Sequence, residues 1–449
     1  MFRTSAGEIT AIDYDKENPV NTGSLCPRGY YNLELLNHPQ RLTKPRIGKK
    51  EVTWDEAISF AKKELKKHDP SSIKMTLSSN ASNEDAYMAC VFAKTIGITD
   101  VSASGDPADQ DSWRGNKWDA EGATLDSVER LGESEALLII GDILTRSPVL
   151  SKRINKVKYG KRGNKIIAIS PSTTHTSWFA TTHLKNKPGT EAALMAAIVK
   201  VLADINKREN IDLDLEKTAR ITGIPVEAIT QAAKAFDDAE SGSIIFSPEN
   251  NIQKNDIVQY LAKVASGFSV NKKHITLNMY GNTIGVNRIL DAMSEKKKSE
   301  HAKAFIAFGD NTPIHGTEFT VRSCYFAPDT VRENEVILPL ASHMERKGSV
   351  ILAGERTENI RPIAHKVGGR SHLEIITSLM DTKVEFDKIL EETEKILSKK
   401  VKKEKVDLGE KISEALKMGE RAIIAPGDVT HFGNNELVKR FFWYRVNNG

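Results

Sequence analysis

Cys26 is the residue of this chain best suited to metal or redox chemistry, because it lies in a polar loop that reads NPVNTGSLCPRG over residues 18–29. A cysteine thiolate is a strong ligand for iron, but a cubane iron–sulfur cluster takes about four such ligands. The sequence contains only two other cysteines, Cys90 and Cys324, and both are expected to be packed thiols. Cys26 is therefore either the last ligand of a cluster that other residues complete or an unreactive thiol in a turn.

The composition limits the protein classes to which the chain can belong. At 449 residues, the chain is expected to form two to four domains. Its 64 Lys and Arg residues nearly balance 60 Asp and Glu residues, which gives no indication of a nucleic-acid partner. Three widely spaced cysteines predict a reducing compartment, so a cytoplasmic location is expected. The chain has no apolar run long enough to span a bilayer, so direct membrane insertion is not predicted.

Short apolar runs predict the elements that position any site. Such runs occur at 136–142, 165–170 and 243–247, each ending in small or polar residues, with helical patterns between them. This pattern is typical of parallel strands that are buried on both faces. We therefore predict an α/β fold with a doubly wound sheet, whose ligands bind beyond the carboxyl ends of the strands.

A second group of apolar runs predicts a second α/β domain of the same kind. Residues 304–311 and 335–340 supply strands, and residues 73–97 are expected to join them from far away in the chain. A helix is predicted to begin at residue 53, where Thr53 and Glu56 have the spacing of a capping box. Residues 386–420 are dense in Lys and Glu, which favours a charged linker or a solvated helix.

Several motifs, in this order along nearly the whole chain, resemble the molybdopterin oxidoreductase (DMSO reductase) superfamily. The loop around Cys26 resembles the family segment "GRLCxKGR", and residues 37–45 resemble "NHPDRLxxP". Residues 53–57 resemble "tWDEA", and residues 81–87 resemble "ASNEExY". Each match alone is weak, but their order and spacing are specific. The resemblance is to formate dehydrogenase alpha subunits and to the large subunit of respiratory complex I, truncated at both ends.

The resemblance implies a domain organisation in five parts. Two Rossmann-like doubly wound α/β domains are expected, with a small β-rich segment at the start and a vestigial β domain at the end. The expected parts are residues 1–46 as an incomplete iron–sulfur-type segment, 47–105 with 271–385 as one discontinuous α/β domain, 106–270 as the other α/β domain, 386–420 as a charged linker or helix, and 421–449 as the incomplete start of a molybdopterin-dinucleotide-binding domain.

The resemblance also implies a site for molybdopterin guanine dinucleotide carrying molybdenum or tungsten. Residues 187–191 resemble the "RPGTD" loop that holds the guanine end, although they could merely cap the helix that follows. A carboxylate such as Glu191 can accept hydrogen bonds from guanine, and glycine lets the backbone approach a phosphate. Residues 309–313 resemble the family's "GENP" turn. The cofactor-binding candidates are Arg28, Gly141, Asp142, Ser170, Pro188, Gly189, Glu191, Gly309, Asp310, Asn311 and His431, and the metal-ligand candidate is Cys26.

Two departures from the family pattern put the metal site in doubt. Relatives usually have Asp-Pro-Arg where this chain has SPS at 170–172, which removes a carboxylate and a cation that could pair with phosphate. The metal-ligand position is occupied by Ala108, whose methyl group cannot ligate a metal. Ser104, Asp106 and Asp109 are alternative oxygen ligands, but a solvated acidic loop is the prediction here. No catalytic residue is therefore assigned.

Both ends of the chain also differ from the family pattern. The other cluster cysteines would lie upstream of Met1, so the start is truncated, another polypeptide supplies them, or the cluster is lost. The segment 428–433, which contains His431, resembles the opening of the last family domain, "xxYHFGTGTMT". Arg28 replaces a lysine of many catalytic relatives and keeps its charge with a different donor geometry.

Three functions follow as hypotheses. The first is a subunit of a multi-subunit anaerobic oxidoreductase or electron-transfer complex, with a degenerate metal site, a scaffold role and one 4Fe-4S cluster to which Cys26 contributes. The resemblance implies iron–sulfur and flavin proteins as its partner subunits. The second is an active molybdenum or tungsten enzyme of the formate dehydrogenase type. The third is a structural α/β module without redox function.

Overall fold

The computed structural model describes residues 2–5, 8–295, 297, 299, 301–309, 314 and 316–421. Three candidate residues of the sequence analysis, Asp310, Asn311 and His431, lie outside this part of the chain. The same holds for the expected C-terminal domain beyond residue 421.

Strands and helices alternate through most of the described chain. The strands are β1 (Phe2–Ser5), β2 (Glu8–Ile12), β3 (Arg46–Ile47), β4 (Lys50–Glu51), β5 (Ile73–Ser78), β6 (Asp100–Ser104), β7 (Ala136–Ile140), β8 (Lys165–Ile169), β9 (Thr182–Leu184), β10 (Gly242–Phe246), β11 (Lys272–Thr276), β12 (Ala304–Phe308), β13 (Phe319–Cys324), β14 (Glu335–Pro339), β15 (Gly348–Leu352) and β16 (Arg356–Ile360). The helices are α1 (Pro27–Tyr30), α2 (Asn32–Leu36), α3 (Trp54–Leu65), α4 (Asn83–Ile96), α5 (Pro107–Lys117), α6 (Ile143–Arg146), α7 (Ser151–Gly160), α8 (His175–Phe179), α9 (Glu191–Ile205), α10 (Leu215–Thr222), α11 (Val226–Asp237), α12 (Asn255–Phe268), α13 (Thr283–Met293), α14 (His372–Met380), α15 (Phe386–Leu397) and α16 (Leu408–Glu420).

One sheet has five parallel strands in the order β11-β10-β7-β8-β9. Every residue of β7 and β10 is buried, because helices cover both faces of the sheet. Leu138 and Ile140 of β7 pack with α9 and α12, whereas Leu137 and Ile139 pack against α7. The strands predicted from the apolar runs at 136–142, 165–170 and 243–247 are therefore confirmed, and so is the α/β class.

A second sheet has seven strands in the order β4-β3-β14-β13-β12-β5-β6. Strands β14, β13, β12, β5 and β6 are mutually parallel, and the short β3 and β4 add an antiparallel edge. Strand β5 pairs with β12 even though more than 200 residues separate them, as the sequence predicted for residues 73–97. The capping box of Thr53 and Glu56 at the start of α3 is present.

The charge-rich residues 386–420 contain two amphipathic helices, and each helix packs into a different hydrophobic core. Helix α15 lies on α4 and α13 and buries Ile389 and Thr393. Helix α16 lies on α9 and buries Ile412 and Ala415. The Lys and Glu side chains occupy the exposed faces, because only every third or fourth residue is apolar.

Helix α5 lies between the two sheets, where it packs on α12 and contacts α13. Gly115 makes this close approach possible, because a Cβ atom at that position would overlap the backbone oxygen of Asp256. The start of α5 is thereby fixed between the helices that cover the two sheets. Within the part of the chain that the structure describes, no helix is long and apolar enough to cross a bilayer.

Candidate functional site

The carboxyl ends of the five-stranded sheet form one edge where several candidate residues meet. Gly141 and Asp142 directly follow β7, and Ser170 directly follows β8. Glu249 lies just beyond the end of β10. Because these strands are parallel, their carboxyl ends share one edge of the sheet, which is where α/β proteins bind ligands.

Gly141 is required at this edge by close packing and by its backbone conformation. Its φ of 92° lies in the left-handed region. A Cβ atom there would lie 2.8 Å from the backbone oxygen of Ser247 and 2.9 Å from Oε1 of Glu249. The backbone N–H of Asp142 donates to the same Glu249 oxygen at 2.6 Å. The turn after β7 is therefore fastened to the loop after β10.

The carboxylate of Asp142 is buried and holds helix α8 in place. Its Oδ1 atom accepts a hydrogen bond of 2.6 Å from the hydroxyl of Thr176 and one of 3.3 Å from the Thr176 N–H. Ser170 has a similarly local role. Its hydroxyl donates to the backbone oxygen of Ser172 at 2.9 Å, and the imidazole of His183 lies 3.1 Å from that hydroxyl.

Glu191 begins helix α9 with a buried carboxyl group that is only partly satisfied. Its Oε1 atom accepts from the side-chain amide of Asn186 at 3.1 Å. Its Oε2 atom and the Oδ1 atom of Asn186 have no hydrogen-bond partner among the described residues. Burial, with a smaller contribution from the nearby Glu249, raises the pKa of Glu191 to about 7. Two buried acceptors without donors are what the N–H groups of a guanine base would satisfy.

The preceding turn, Pro188 and Gly189, brings the chain to the start of α9. Gly189 has a φ of 77°, a conformation that favours glycine. The N-cap residue Thr190 makes no side-chain bond to the helix, and its hydroxyl donates instead to the backbone oxygen of Lys187 at 2.6 Å. The side chain of Thr190 therefore does not cap α9, although a cap was the alternative explanation for the motif at 187–191.

The raised pKa of Glu191 predicts a pH-dependent stability. A group whose pKa is higher in the folded chain contributes its full stability below its ordinary value of 4.5, and the contribution disappears as the pH rises through about 7. A pKa shift of this size corresponds to a change of about 3 kcal/mol in the free energy of unfolding. We expect Glu191→Gln to be about as stable as the wild type near pH 5 and about 2–3 kcal/mol more stable near pH 8.

Urea unfolding followed by circular dichroism across this pH range measures the effect. The exposed Glu216, in neighbouring helix α10, gives a matched control. Glu216→Gln should keep the pH dependence of the wild type. Equal pH slopes for Glu191→Gln and the wild type would show that Glu191 titrates normally.

Arg146 joins the loops of this edge to the start of α5 and to the N-terminal segment. Its Nη1 atom donates to the backbone oxygen of Pro248 at 2.5 Å, and its Nη2 atom lies 3.4 Å from Oδ2 of Asp106. Its backbone oxygen accepts from the guanidinium of Arg28. The other side of that guanidinium lies 3.6 Å from the sulfur of Met279. Four separate stretches of the chain therefore meet at Arg146.

Cys26 lies beside this junction, at the N-cap position of α1. It is half-buried and lines a cavity of about 210 Å³ together with Arg28, Arg146, Pro148 and Asn278. The other two cysteines are buried, as predicted. Within the described ranges, no group of three or more His, Cys, Asp or Glu side chains is placed to hold a metal ion. A cluster at Cys26 therefore requires ligands from outside these residues.

The prediction of a solvated acidic loop at residues 100–109 was wrong. Asp106 is buried and caps α5, accepting from the N–H of Ala108 at 3.0 Å. Asp109 is fully buried and accepts from the N–H groups of Met279 and Tyr280, each at 3.0 Å. The reason is that α5 begins at Pro107, so Asp109 points into the interface between the two sheets instead of into solvent.

These carboxylates determine how well the site fits a protein-ligated metal. Burial raises the pKa of Asp109 to about 7, although the two backbone N–H groups act in the opposite direction. Asp109 and Asp106 are both engaged in the fold, and the methyl group of Ala108 offers no ligand atom. The side chains of residues 106–109 are therefore not suited to ligate molybdenum or tungsten. Glu191 and Asn186, in contrast, fit the guanine end of a dinucleotide.

Gly309 lies at the carboxyl edge of the other, seven-stranded sheet. Its N–H donates to the backbone oxygen of Ser323 at 2.9 Å, and it has a φ of 76°. A Cβ atom there would lie 2.9 Å from Cβ of Ser78 and 3.1 Å from Nε2 of His372. Gly309 thus contacts neighbours of the seven-stranded sheet and of α14, and the structure does not join it to the group around Gly141.

Sequence reasoning missed Arg146 and Glu249, and it misplaced Asp109. A signal was available for Glu249, since it closely follows a buried parallel strand as Gly141 does. Arg146 follows the strand end at Gly141 by one turn of helix, so the same rule could have indicated it.

Comparisons with known proteins show the family to which this sequence is similar. A family model described as molybdopterin oxidoreductase matches residues 41–382, more than half of the chain. F420-dependent formate dehydrogenase 2 subunit alpha from Methanococcus maripaludis is 28% identical over 433 residues, covering 79% of this chain and 64% of that protein. Formate dehydrogenase H from Escherichia coli is 26% identical over 265 residues, covering 51% and 37%.

A solved structure shows the same fold. Acetylene hydratase from Pelobacter acetylenicus superposes with a TM-score of 0.61 at 17% identity, covering 80% of this chain and 63% of that one. The chain spans less than two thirds of the length of each of these relatives. By its sequence and its fold, the chain belongs to the molybdopterin oxidoreductase family.

Proposed function

We propose that this chain is a subunit of a redox complex that keeps the body and the guanine end of a molybdopterin enzyme but has a degenerate metal site. The observation that carries this proposal is the state of residues 106–109. Ala108 stands where the family resemblance places the metal ligand, and the neighbouring carboxylates of Asp106 and Asp109 are engaged in the fold.

The guanine end is the part of the crevice that this chain is equipped to bind. Glu191 and Asn186 offer two buried acceptors, and Gly141 keeps the adjacent turn close to the loop after β10. Where the family resemblance places a carboxylate and a cation that pairs with phosphate, this chain has Ser170 and Ser172, and the Ser170 hydroxyl donates to the Ser172 backbone oxygen. We therefore expect a dinucleotide to bind through its base more than through its phosphates.

Electron transfer is the second part of the proposal. Cys26 supplies one ligand of a 4Fe-4S cluster, and the remaining ligands come from outside the described residues. Arg28 places a positive charge beside Cys26 at the cavity that both residues line. The relatives include proteins named as subunit alpha of formate dehydrogenases, which supports partner subunits for this chain. We expect iron–sulfur and flavin proteins among these partners.

An active enzyme of the formate dehydrogenase type is the alternative. The observation in its favour is the unsatisfied pair of acceptors at Glu191 and Asn186, which suits the cofactor of such enzymes. It requires a metal held without a protein ligand from residues 104–109.

Metal analysis of the native complex, purified without oxygen, separates these functions. We expect iron without stoichiometric molybdenum or tungsten. Cys26→Ser should remove about four iron atoms per chain, because a cubane cluster is lost when a ligand is missing. The buried Cys324 gives the matched control, and Cys324→Ala should leave the iron content unchanged.

The other outcomes assign the other functions. Stoichiometric molybdenum or tungsten together with iron would support the active enzyme. A complex without any of these metals would support a structural module without redox function. An iron content that Cys26→Ser leaves unchanged would show that Cys26 does not ligate a cluster.

A further inference from the structure

The cavity beside Cys26 has two guanidinium groups in its wall. Arg28 and Arg146 both line it, together with the polar side chains of Cys26, Ser147 and Asn278. No Asp or Glu is among the described residues that form this wall. The volume of about 210 Å³ equals that of about seven water molecules at roughly 30 Å³ each. A cavity of this size, with two cations and no carboxylate in its wall, is suited to a small anion.

Arg28 is the cation without a counter-charge. Its Nη2 atom donates to the backbone oxygen of Arg146, and its Nη1 atom lies 3.6 Å from the sulfur of Met279. In the part of the chain that the structure describes, Arg28 forms no ion pair. A guanidinium has five N–H donors, so three of those of Arg28 are left for a ligand or for water. Taking a cation partly out of water is costly, and an oxyanion beside it reduces that cost.

Arg146 is the more deeply buried of the two cations. Its side chain is only 9% exposed, and its Nη2 atom lies 3.4 Å from Oδ2 of Asp106. Its Nε atom, however, has no hydrogen-bond partner among the described residues. Buried N–H donors in proteins are nearly always paired, so this atom requires an acceptor. Because Arg146 lines the cavity, an oxyanion bound there can provide that acceptor.

Asn278 requires a donor in the same cavity. Its Oδ1 atom is buried and has no hydrogen-bond partner within the described ranges. Hydrogenphosphate can meet both requirements, because some of its oxygens accept hydrogen bonds while one carries an O–H that donates. Sulfate has the same shape and, near pH 8, the same charge of about −2, but it has no O–H. The cavity therefore favours phosphate over sulfate.

The wall that carries Asn278 is fixed by hydrogen bonds on both sides of this residue. The N–H of Leu277 donates to the backbone oxygen of Phe246 at 2.8 Å. The N–H of Met279 donates to the carboxylate of Asp109 at 3.0 Å. The backbone around the acceptor is thus held before any ligand arrives, so little conformational freedom remains to be lost on binding.

We propose that this cavity is a binding site for a phosphate group. Arg28 and Arg146 donate to its oxygens, and Asn278 accepts from its O–H. The group is either inorganic phosphate or the end of a small phosphomonoester, since both present the same charged head. The proposal goes beyond the proposed function, because it requires neither a cluster at Cys26 nor a dinucleotide at Glu191.

Calorimetric titration of the metal-free full chain near pH 8 tests the proposal. We expect inorganic phosphate to bind with a Kd of about 0.1–1 mM, and sulfate to bind about tenfold more weakly because it leaves Asn278 without a donor. Asn278→Ala should bind the two anions with Kd values within about twofold of each other. Equal affinities of the wild type for phosphate and sulfate would overturn the proposal.

Replacement of Arg28 tests the cationic part of the site. Arg28→Met should weaken phosphate binding at least about tenfold, and Arg28→Lys should weaken it about threefold, because lysine keeps the charge but loses the fork of donors. The exposed Arg162, between α7 and β8, gives the matched control. Arg162→Met makes the same change of charge and should bind phosphate within about twofold of the wild type. Equal losses in the two methionine variants would contradict the proposal.

Alkylation of Cys26 locates the bound anion without any substitution. Cys90 and Cys324 are buried, so neutral iodoacetamide should react with Cys26 in the folded, metal-free chain. Phosphate at ten times its Kd should slow this reaction at least about threefold, because Cys26 lines the same cavity. Phosphate that binds in the calorimeter but leaves the rate unchanged lies elsewhere, and that result would overturn the proposal.

Glycerol phosphate distinguishes the two sources of the phosphate group. Tighter binding of inorganic phosphate would assign the cavity to the free anion, and tighter binding of glycerol phosphate would assign it to a phosphomonoester. Binding of neither would overturn the proposal. Calorimetry and alkylation need no pterin or turnover, so molybdenum bound near Ala108 would contradict the proposed function and leave these results unchanged.

Discussion

Replacement of Arg346 by alanine is expected to lower the free energy of unfolding by about 3–5 kcal/mol. Its Nη1 atom pairs with Oδ2 of Asp85, and its Nη2 atom donates to the backbone oxygen of Asn80 at 3.0 Å. The side chains of Arg346 and Asp85 are only 6% and 3% exposed. Removal of the cation leaves a buried carboxylate without its counter-charge, which is far more costly than loss of a surface ion pair.

Asp85 connects its ion pair with Arg346 to helices α4 and α14. It forms a capping box with Ser82 at the start of α4 and accepts from the N–H of Leu373 in α14 at 2.9 Å. Burial acts to raise the pKa of Asp85, but the guanidinium of Arg346, the imidazole of His372 and the N–H of Ser82 together outweigh burial and hold that pKa well below its usual range. Asn80 in turn accepts from the N–H of Gly281 at 3.0 Å, which connects the pair to the loop that lines the cavity.

Urea unfolding near neutral pH measures the loss. A lowered carboxylate pKa stabilises the fold above the unfolded value and loses its effect as the pH falls, so the difference between Arg346→Ala and the wild type should shrink in acid. The control is Arg130→Ala, which removes an exposed partner 3.5 Å from Glu133 and should cost less than about 1 kcal/mol. Similar losses for the two variants would contradict the prediction.

Replacement of Asp109 by alanine is expected to cost about 2–4 kcal/mol. The carboxylate accepts from the N–H groups of Met279 and Tyr280, and the hydroxyl of Thr283 lies 3.2 Å from it. Alanine leaves these donors without their acceptor in a region closed to water. Asp109→Asn keeps one acceptor oxygen and should lose about half as much.

Hydrogen exchange adds a local measurement to the unfolding experiment. The amides of Met279 and Tyr280 should exchange faster in Asp109→Ala, because their acceptor is gone. The control is Asp55→Ala, another acidic residue in the first turn of a helix, but exposed. If Asp109→Ala is as stable as Asp55→Ala, then Asp109 is solvated after all.

The sequence predicts the sheets well, because the pattern that forms them is local. β7 is uniformly apolar and β10 has the apolar run 244–246, as is typical of strands covered on both faces, and each is followed by small or polar residues. The position of Gly141 and Ser170 at one edge then follows from the parallel topology. The pairing of β5 with β12 is not visible in their residue patterns, because β5 alternates apolar and polar residues whereas β12 is apolar throughout.

The strand-end rule could have placed Arg146 and Glu249 at the edge of the sheet, but the sequence could not show the partners of the charged residues, because those partners are distant in the chain. Asp109 finds its donors 170 and 171 residues away in the chain, and Arg146 finds the oxygen of Pro248 102 residues away. A run of Asp residues with no visible partner predicts a solvated loop by composition. Only the packing of α5 between the two sheets turns it into a buried, hydrogen-bonded element.

The most direct test of the account is anomalous diffraction at the molybdenum and tungsten absorption edges, from crystals of the native complex. The account predicts no peak of either metal within bonding distance of any residue from Ser102 to Asp111, because Ala108 has no ligand atom and Asp106 and Asp109 are already bonded. A molybdenum or tungsten peak bonded to one of these side chains would contradict it.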